Sequence, residues 1–154
     1  MLEIIRAKDM DPKVLDRVTV GRITNTAEQM HYLDKMLEIK DLSLVVIDNV
    51  TDLFSFEYSK ESSSLEKHIT FMRYMRQLVL VTIKKRVPVV VTNMTRKSES
   101  TEKENLDRSI SMFTHRKIRL SRFGKKYFAQ IFPSFGTKKE VPYVITSRGL
   151  EEVS

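Results

Sequence analysis

Two short apolar runs that do not alternate with polar residues place the strongest constraint on the fold. They are Leu-Val-Val-Ile at 44–47 and Val-Val-Val-Thr at 89–92, and the second one follows Pro88. A strand with one solvated face alternates apolar and polar residues, so each run predicts a strand that is buried on both faces. The segment between the runs has helical periodicity. A strand-helix-strand order of this kind builds a parallel sheet that helices cover on both sides.

The helix between these strands is predicted to be the longest in the chain. Its start is marked by Ser-Ser-Leu-Glu at 63–66, which has the form of a capping box. Its end is marked by the three cations at 84–86, which suit the negative end of the helix dipole. The residues predicted to share its apolar face are Leu65, Ile69, Met72, Met75, Leu78 or Val79, and Ile83.

A similar pattern precedes the first of these strands. A short helix at 2–8 ends before Pro12, because proline disfavours helical angles at Asp11. Branched residues favour a strand at 17–23. Thr-Ala-Glu-Gln at 26–29 has the form of a second capping box and predicts a helix that begins there.

The last third of the chain changes character. Charged residues dominate 94–107, which predicts an exposed loop. Three strands are then predicted at 113–120, 126–132 and 141–146, joined as hairpins. The sequence therefore predicts an α/β fold of one domain, 1–154, whose mainly parallel mixed sheet is extended at one edge by antiparallel strands.

Composition excludes several classes of protein. There is no cysteine, which excludes a disulfide scaffold, a zinc ribbon and a thiol nucleophile and favours a cytoplasmic setting. The apolar runs are shorter than the roughly 18 residues of a membrane helix, so no membrane partner is expected. The three histidines lack the spacing of a metal site, so no metal site is predicted. The glycines lie too far apart to form a phosphate-binding loop of the G-x-x-x-x-G-K-[ST] type; they are Gly21, Gly124, Gly136 and Gly149.

Asp48, which directly follows the first buried strand, is the candidate site residue. A carboxylate there lies at the carboxyl edge of a parallel sheet, where ligands of open α/β folds bind. In nucleotide-hydrolysing folds such a carboxylate orients hydrated magnesium, while a lysine-bearing loop holds the phosphates. The alternative is that Asp48 only ends the strand and caps the turn at 49–53. No residue is assigned a catalytic role.

Positive charge is concentrated in one part of the chain. Residues 84–126 hold 13 Lys or Arg and 4 Asp or Glu, a net charge of +9, whereas the rest has 14 basic and 16 acidic residues. Such density attracts the phosphates of single-stranded or double-stranded DNA without reading sequence. The alternative is a solvated edge strand that its charge keeps soluble. The candidate DNA-binding residues are Arg96, Lys97, Arg116, Lys117, Arg119, Arg122, Lys125 and Lys126.

Taken in order, five segments resemble the C-terminal part of the ATPase core of the archaeal RadA recombinases and their RadB-type paralogues, in the RecA superfamily. They are 10–22, 44–54, 89–93, 116–120 and 144–152. The resemblance implies a three-layer RecA-like fold, relatives that are DNA-dependent ATPases, and Asp48 in the Walker B position. It also implies a role in DNA recombination and repair, in the cytoplasm and in association with the nucleoid.

The departures from that family are equally specific. The P-loop unit and the catalytic glutamate have no counterpart here, and Met94 stands where the family continues V-T-N with glutamine. Three interpretations follow. The chain is a catalytically silent paralogue that binds DNA, a full-length RadA-type recombinase or itself; or half of a split ATPase, in which a partner chain completes a site for ATP and magnesium; or a fragment without independent activity. For the chain alone no cofactor is expected.

Overall fold

The computed structural model describes residues 2–98, 101–133 and 137–153. Two compact units are distinguished. The central unit is Arg22–Phe113, and the sheet unit combines the described residues of Met1–Gly21 and Thr114–Ser154. The predicted single domain over 1–154 stays a prediction.

Helices and short strands make up the central unit. The sheet unit begins with α1 (Leu2–Ala7), as predicted, and a 3-10 helix at Pro12–Arg17. The central unit follows with α2 (Thr26–Glu38), β1 (Val45–Ile47), α3 (Asp52–Glu57), a 3-10 turn at Glu61–Ser63, α4 (Ser64–Lys85), β2 (Val89–Val91), β3 (Thr95–Ser98), β4 (Thr101–Glu104) and α5 (Asp107–Ser111). The chain then returns to the sheet unit as β5 (Arg116–Phe123), β6 (Lys126–Pro133), β7 (Lys139–Thr146) and β8 (Gly149–Glu152).

Three aromatic rings form the centre of the core of the central unit. Phe54 of α3 meets Phe71 of α4 edge to face, with ring centroids 5.1 Å apart, and lies 5.7 Å from the ring of Tyr74. Both phenylalanines are fully buried. Leu33 of α2 and Val50 join the same cluster. Aromatic rings bury the largest apolar areas of any side chains, so these contacts hold α3 against α4.

The apolar face predicted for α4 is confirmed at Met75 and Leu78, which are buried, and wrong at three other positions. Leu65, Ile69 and Ile83 are 73%, 54% and 64% exposed. The buried face instead consists of Phe71, Tyr74, Met75, Leu78 and Val81. The prediction followed aliphatic residues and methionines, whereas the helix is oriented by its two aromatic side chains, which bury more area.

The parallel pairing of β1 with β2 is confirmed. Val45 lies opposite Val89, and Ile47 opposite Val91. The predicted burial of both faces is wrong, because Val46 and Val90 lie opposite each other and are 60% and 49% exposed. The strand pair is therefore packed on one face, the face that carries the fully covered Val45.

The strand predicted at 17–23 is also wrong. Asp11 caps the 3-10 helix, its carboxylate accepting a hydrogen bond from Lys13 N at 2.9 Å, with Pro12 as the first helical residue. After Arg17 no strand follows up to α2, and Val20 is 84% exposed. Branched residues favour a strand only where a neighbouring strand pairs with them, and none of the described strands does so here.

The predicted caps differ from the observed ones. The N-cap of α2 is Asn25, whose Oδ1 accepts a hydrogen bond from Glu28 N at 2.8 Å, so the predicted box lies one residue too late. Glu28 in turn accepts from Thr24 N, also at 2.8 Å. At α4 the cap predicted for Ser63 is wrong, because its hydroxyl donates to the carbonyl of Lys60 at 2.7 Å instead of capping the helix.

The described strands pair as three separate sheets, so the predicted single mixed sheet is wrong, although the α/β class is confirmed. In the sheet unit, β5 to β8 form an antiparallel meander of four strands, one more than predicted. The loop predicted at 94–107 contains the antiparallel pair β3–β4, with Thr95 opposite Glu104. The three-layer RecA-like arrangement stays a prediction. Among the described residues no helix is both long and apolar enough to cross a membrane.

Candidate functional site

The carboxyl ends of the two parallel strands bring Asp48 and Thr92 together. Each residue directly follows its strand, and the hydroxyl of Thr92 donates a hydrogen bond to Oδ1 of Asp48. Backbone hydrogen bonds extend the pairing there, from Thr92 N to the carbonyl of Ile47 at 3.0 Å and from Val50 N to the carbonyl of Thr92 at 3.1 Å. The peptide bond from Asp48 to Asn49 is cis. Asp48 is solvent-exposed, so its carboxylate lies at the open edge that the sequence predicted.

A buried threonine links this edge to the residue that follows Thr92. The side chain of Thr51 is fully buried, and its hydroxyl donates to Oδ1 of Asn93 at 2.6 Å. Asn49 supports Thr51 by accepting a hydrogen bond from its backbone N at 2.9 Å. The same hydroxyl lies 3.2 Å from Oδ1 of Asn49, so this buried group has two acceptors within hydrogen-bonding distance.

Asn93 connects the strand ends to the base of the β3–β4 hairpin. Its amide Nδ2 donates to the carbonyl of Asn105 at 2.8 Å and to the carboxylate of Glu104 at 3.2 Å. The Nδ2 of Asn105 donates in turn to the hydroxyl of Ser55 in α3 at 2.6 Å. Hydrogen bonds therefore run from Thr51 through Asn93 and the hairpin base to α3, and the hydrogen-bonded pair Asp48–Thr92 adjoins them along the backbone. We call this set of residues the edge network; its members are Asp48, Asn49, Thr51, Ser55, Thr92, Asn93 and Asn105.

Six of the eight candidate DNA-binding residues lie on the β5–β6 hairpin, residues 116–133. This hairpin contains six Lys or Arg and no Asp or Glu. Arg116 and Arg122 lie on one face of β5 and Lys117 and Arg119 on the other, as strand alternation predicted. Lys125 and Lys126 occupy the turn and the first position of β6. All are exposed except Lys117, which is half-buried.

The turn of this hairpin is held by its own side chains. The Nε of Arg122 donates to the carbonyl of Gly124 at 2.9 Å, and its guanidinium lies 5.5 Å from the ring centre of Tyr127. Tyr127 stacks on Tyr143 of β7 with ring centroids 5.5 Å apart. The positive charge of Arg122 is thus fixed beside the turn, because a stacked and hydrogen-bonded guanidinium has little freedom to move.

A family model described as Rad51 matches residues 1–151. The chain belongs to the Rad51 family. This confirms the resemblance to a RecA-like recombinase core and assigns the chain a recombinase-related role in DNA recombination and repair. Rad51-like proteins bind DNA and oligomerise.

In this Rad51-family chain the two remaining candidates, Arg96 and Lys97, are partly described. Their backbones pair in β3 with Lys103 and Glu102 of β4, and their side chains lie outside the described residues. Their role in DNA binding stays a prediction. The assignment of Asp48 as the residue associated with nucleotide and magnesium stays a prediction as well.

Sequence reasoning missed most of the edge network. Asn93 could have been found, because it follows the second apolar run as Asp48–Asn49 follows the first, and parallel strands end at the same edge. Thr51 was treated only as part of a turn. Asn105 and Ser55 carry no local signal, since 50 residues separate them along the chain and only the fold brings them together.

One pocket lies on α4, and Asp48 is not among the residues that line it. It has a volume of about 440 Å³, and it is lined by Ile69, Met72, Arg73, Arg76, Gln77 and Phe113. No carboxylate is among these residues. Among the described residues, no group of His, Cys, Asp or Glu has the arrangement of a metal site.

Proposed function

We propose that this Rad51-family chain modulates DNA recombination and repair by binding DNA and a full-length RadA-type recombinase, without hydrolysing ATP by itself. The observation that carries the proposal is the β5–β6 hairpin, in which six cations and no acid occur within residues 116–133. Phosphate backbones bind such a surface through release of their counterions. The affinity should therefore fall steeply as salt rises.

Protection of a sheet edge does not explain this hairpin fully. β5 is an edge strand, and charge on an edge strand prevents pairing with other chains. Lysine is the charged residue most often used for that purpose, whereas three of the six cations here are arginines. Lys125 and Lys126 also continue the charge into the turn and onto β6, which has neighbours on both sides. The distribution is that of a surface for an anionic partner.

Two features support the absence of independent ATP hydrolysis. These 154 residues contain no glycine-lysine loop to hold phosphates. Magnesium bound near a Walker B carboxylate does not replace such a loop. In addition, Met94 stands where the resembling recombinases continue with glutamine.

DNA binding is tested by fluorescence anisotropy with a labelled oligonucleotide over a series of salt concentrations. We expect Arg116→Gln together with Lys126→Gln to weaken binding and to make the slope of log affinity against log salt shallower by about 1.4 for single strands, about 0.7 per lost phosphate contact. Lys8→Gln with Lys13→Gln is the matched control, since both are exposed lysines outside the hairpin. Equal effects of the two double variants would contradict a site on the hairpin.

Recombinase binding is tested separately by pull-down with a full-length RadA-type protein and by light scattering of the chain alone. A complex with the recombinase supports the proposal, whereas self-association alone would replace that partner by a second copy. Absence of binding both to DNA and to the recombinase would overturn the proposal.

The position of Asp48 favours a second candidate, half of a split ATPase. It lies at the carboxyl edge of the parallel strands, where a partner that carries a P-loop would place the phosphates. This candidate predicts magnesium-dependent hydrolysis only in a mixture of the two chains, and loss of that activity in Asp48→Asn. ATP turnover by the 154-residue chain alone would contradict both candidates.

A further inference from the structure

The turn of the β5–β6 hairpin presents an aromatic ring among cations. Phe123 is the last residue of β5 and is 84% exposed. Arg122 precedes it, and Lys125 and Lys126 follow within three residues. An exposed phenylalanine gives up most of the free energy that burial of its ring would provide. Phe123 therefore contributes little to the packing of the sheet unit.

The backbone that carries this ring has a defined conformation. Strand pairing continues to the end of the hairpin, where Phe123 lies opposite Lys126. Gly124, with φ of 60°, is the first residue of the two-residue turn, as in a type II′ turn. The hydrogen bond from Arg122 to the carbonyl of Gly124 closes the turn. A ligand that binds the tip thus meets a preorganised surface, which lowers the entropy cost of binding.

The surroundings of the ring select among anionic ligands. On the face of β5 that carries Phe123, the other residues are Lys117, Arg119 and Ser121, whereas Ile118 and Leu120 lie on the opposite face. Cross-strand pairing also places Phe128 and Phe132 of β6 on this face, but both are half-buried. Phe123 is therefore the exposed large apolar side chain on this face of the β5–β6 hairpin, and its neighbours include cations. Insertion into a lipid surface requires a broader apolar area. Contact with the flat face of one base requires only one ring, with cations nearby for the phosphates.

We propose that the hairpin tip is a base-stacking site for single-stranded nucleic acid, in which Phe123 stacks on an unpaired base while Lys125 and Lys126 contact the neighbouring phosphates. Bases in a duplex already stack on each other, so only an unpaired base offers a free face to the ring. This inference rests on the proposed binding of DNA by the β5–β6 hairpin. The stacking site adds two points to that proposal: a preference for unpaired strands, and Phe123 as the residue that produces the preference.

The test compares two strands that have the same phosphates and differ in their bases. The probes are a labelled 15-nucleotide oligo(dT) and a labelled strand of equal length in which every site is abasic. We expect the unaltered chain to bind oligo(dT) about 10-fold more tightly than the abasic strand. Phe123→Ala should remove this preference and leave the affinity for the abasic strand unchanged. Phe123→Trp should restore it.

The lysines provide the matched comparison. Lys125→Gln with Lys126→Gln should weaken binding to both strands by the same factor, because both strands carry the same phosphates. Thermal unfolding of each variant, followed by circular dichroism, checks that the fold is retained.

Each of the other outcomes has a distinct meaning. Equal binding of the two strands by the unaltered chain would overturn the stacking site and leave the proposed DNA binding intact, whereas failure to bind either strand at low salt would overturn both. Loss of affinity for both strands in Phe123→Ala would show that the ring only shapes the turn. Binding to anionic phosphatidylserine vesicles that requires Phe123, without a preference between the strands, would show a lipid site instead.

Discussion

The edge network and the β5–β6 hairpin organise polar groups in opposite ways. In the edge network, short side chains such as Thr51, Asn93 and Asn105 satisfy one another, and Thr51 is fully buried. In the hairpin, long cationic side chains extend into solvent on both faces of β5. In the first arrangement the hydrogen-bonding groups stabilise the fold of the central unit. The second keeps most of its charged groups at the solvent-exposed surface.

This difference determines which measurement reports on each region. A change in the edge network removes a partner from a buried or half-buried group, so it should appear in the free energy of unfolding. A change in an exposed cation has little effect on stability but alters binding and its dependence on salt. Substitutions of the same chemical type in the two regions should therefore separate the two roles.

Two phenylalanines give the largest expected contrast. Phe54 is fully buried against Phe71 and Tyr74, whereas Phe123 is 84% exposed. We expect Phe54→Ala to lower the free energy of unfolding by about 3–5 kcal/mol, through lost burial and the cavity that remains. Phe123→Ala should change it by less than about 0.5 kcal/mol. Urea unfolding measures both, and similar values would contradict the assignment of Phe123 to the surface.

Two threonines test whether the edge network stabilises the central unit. Thr51→Val keeps the shape of the side chain but removes the hydroxyl that donates to Asn93. We expect a loss of about 1–3 kcal/mol, since Oδ1 of the half-buried Asn93 loses its donor. The control is Thr19→Val in the sheet unit, where the side chain is exposed and the expected change is small. A cost of Thr51→Val no larger than that of the control would show that Asn93 finds another partner.

A third threonine refines the comparison within the network. The hydrogen bond from Thr92 to Asp48 is exposed to solvent, unlike the bond from Thr51 to Asn93. Water can replace the Thr92 hydroxyl, so Thr92→Val should cost about 0.5–1 kcal/mol, less than Thr51→Val. The ranking is checked in the same urea series. A larger cost for Thr92→Val would mean that Asp48, rather than Asn93, is the centre of the network.

The sequence predicted those parts of the fold that depend on local patterns. The parallel strands, the position of α4 and the β5–β6 hairpin follow from apolar runs, helical spacing and a glycine in a turn. The orientation of α4 followed only in part, because the predicted face included Leu65 and Ile69 and left out Phe71 and Tyr74, which bury more area. Patterns along the chain indicate where a helix or strand lies in the sequence. Which of its faces turns to the core depends on which side chains bury the most area there.

The β3–β4 hairpin and the edge network show a second limit. The strands of that hairpin are rich in charge and have no apolar alternation, so nothing local indicates pairing. Its base is held by Asn93 and Asn105, which the fold brings together from either end of the hairpin. Asp48 was identified because it directly follows a recognisable strand. Partners such as Ser55 depend on contacts between distant segments, which no local pattern contains.

The smallest expected effect is the pH dependence of stability that arises at the cap of α2. This cap belongs neither to the edge network nor to the β5–β6 hairpin. Hydrogen bonds from the backbone and the hydroxyl of Thr24 lower the pKa of Glu28 below its usual value of 4.5. A carboxyl whose pKa is lower in the folded chain stabilises the fold above its unfolded pKa, and this contribution is lost as the pH falls through the folded pKa. We therefore expect stability to decline slightly below pH 4.5 through this group.

Thermal unfolding of two variants tests this expectation. Glu28→Gln should show a shallower decline of stability below pH 4.5. The control is Glu38→Gln, which replaces an exposed acid at the other end of α2. If both variants retain the decline of the unaltered chain, the acid sensitivity arises elsewhere and the hydrogen bonds of Thr24 are too exposed to contribute.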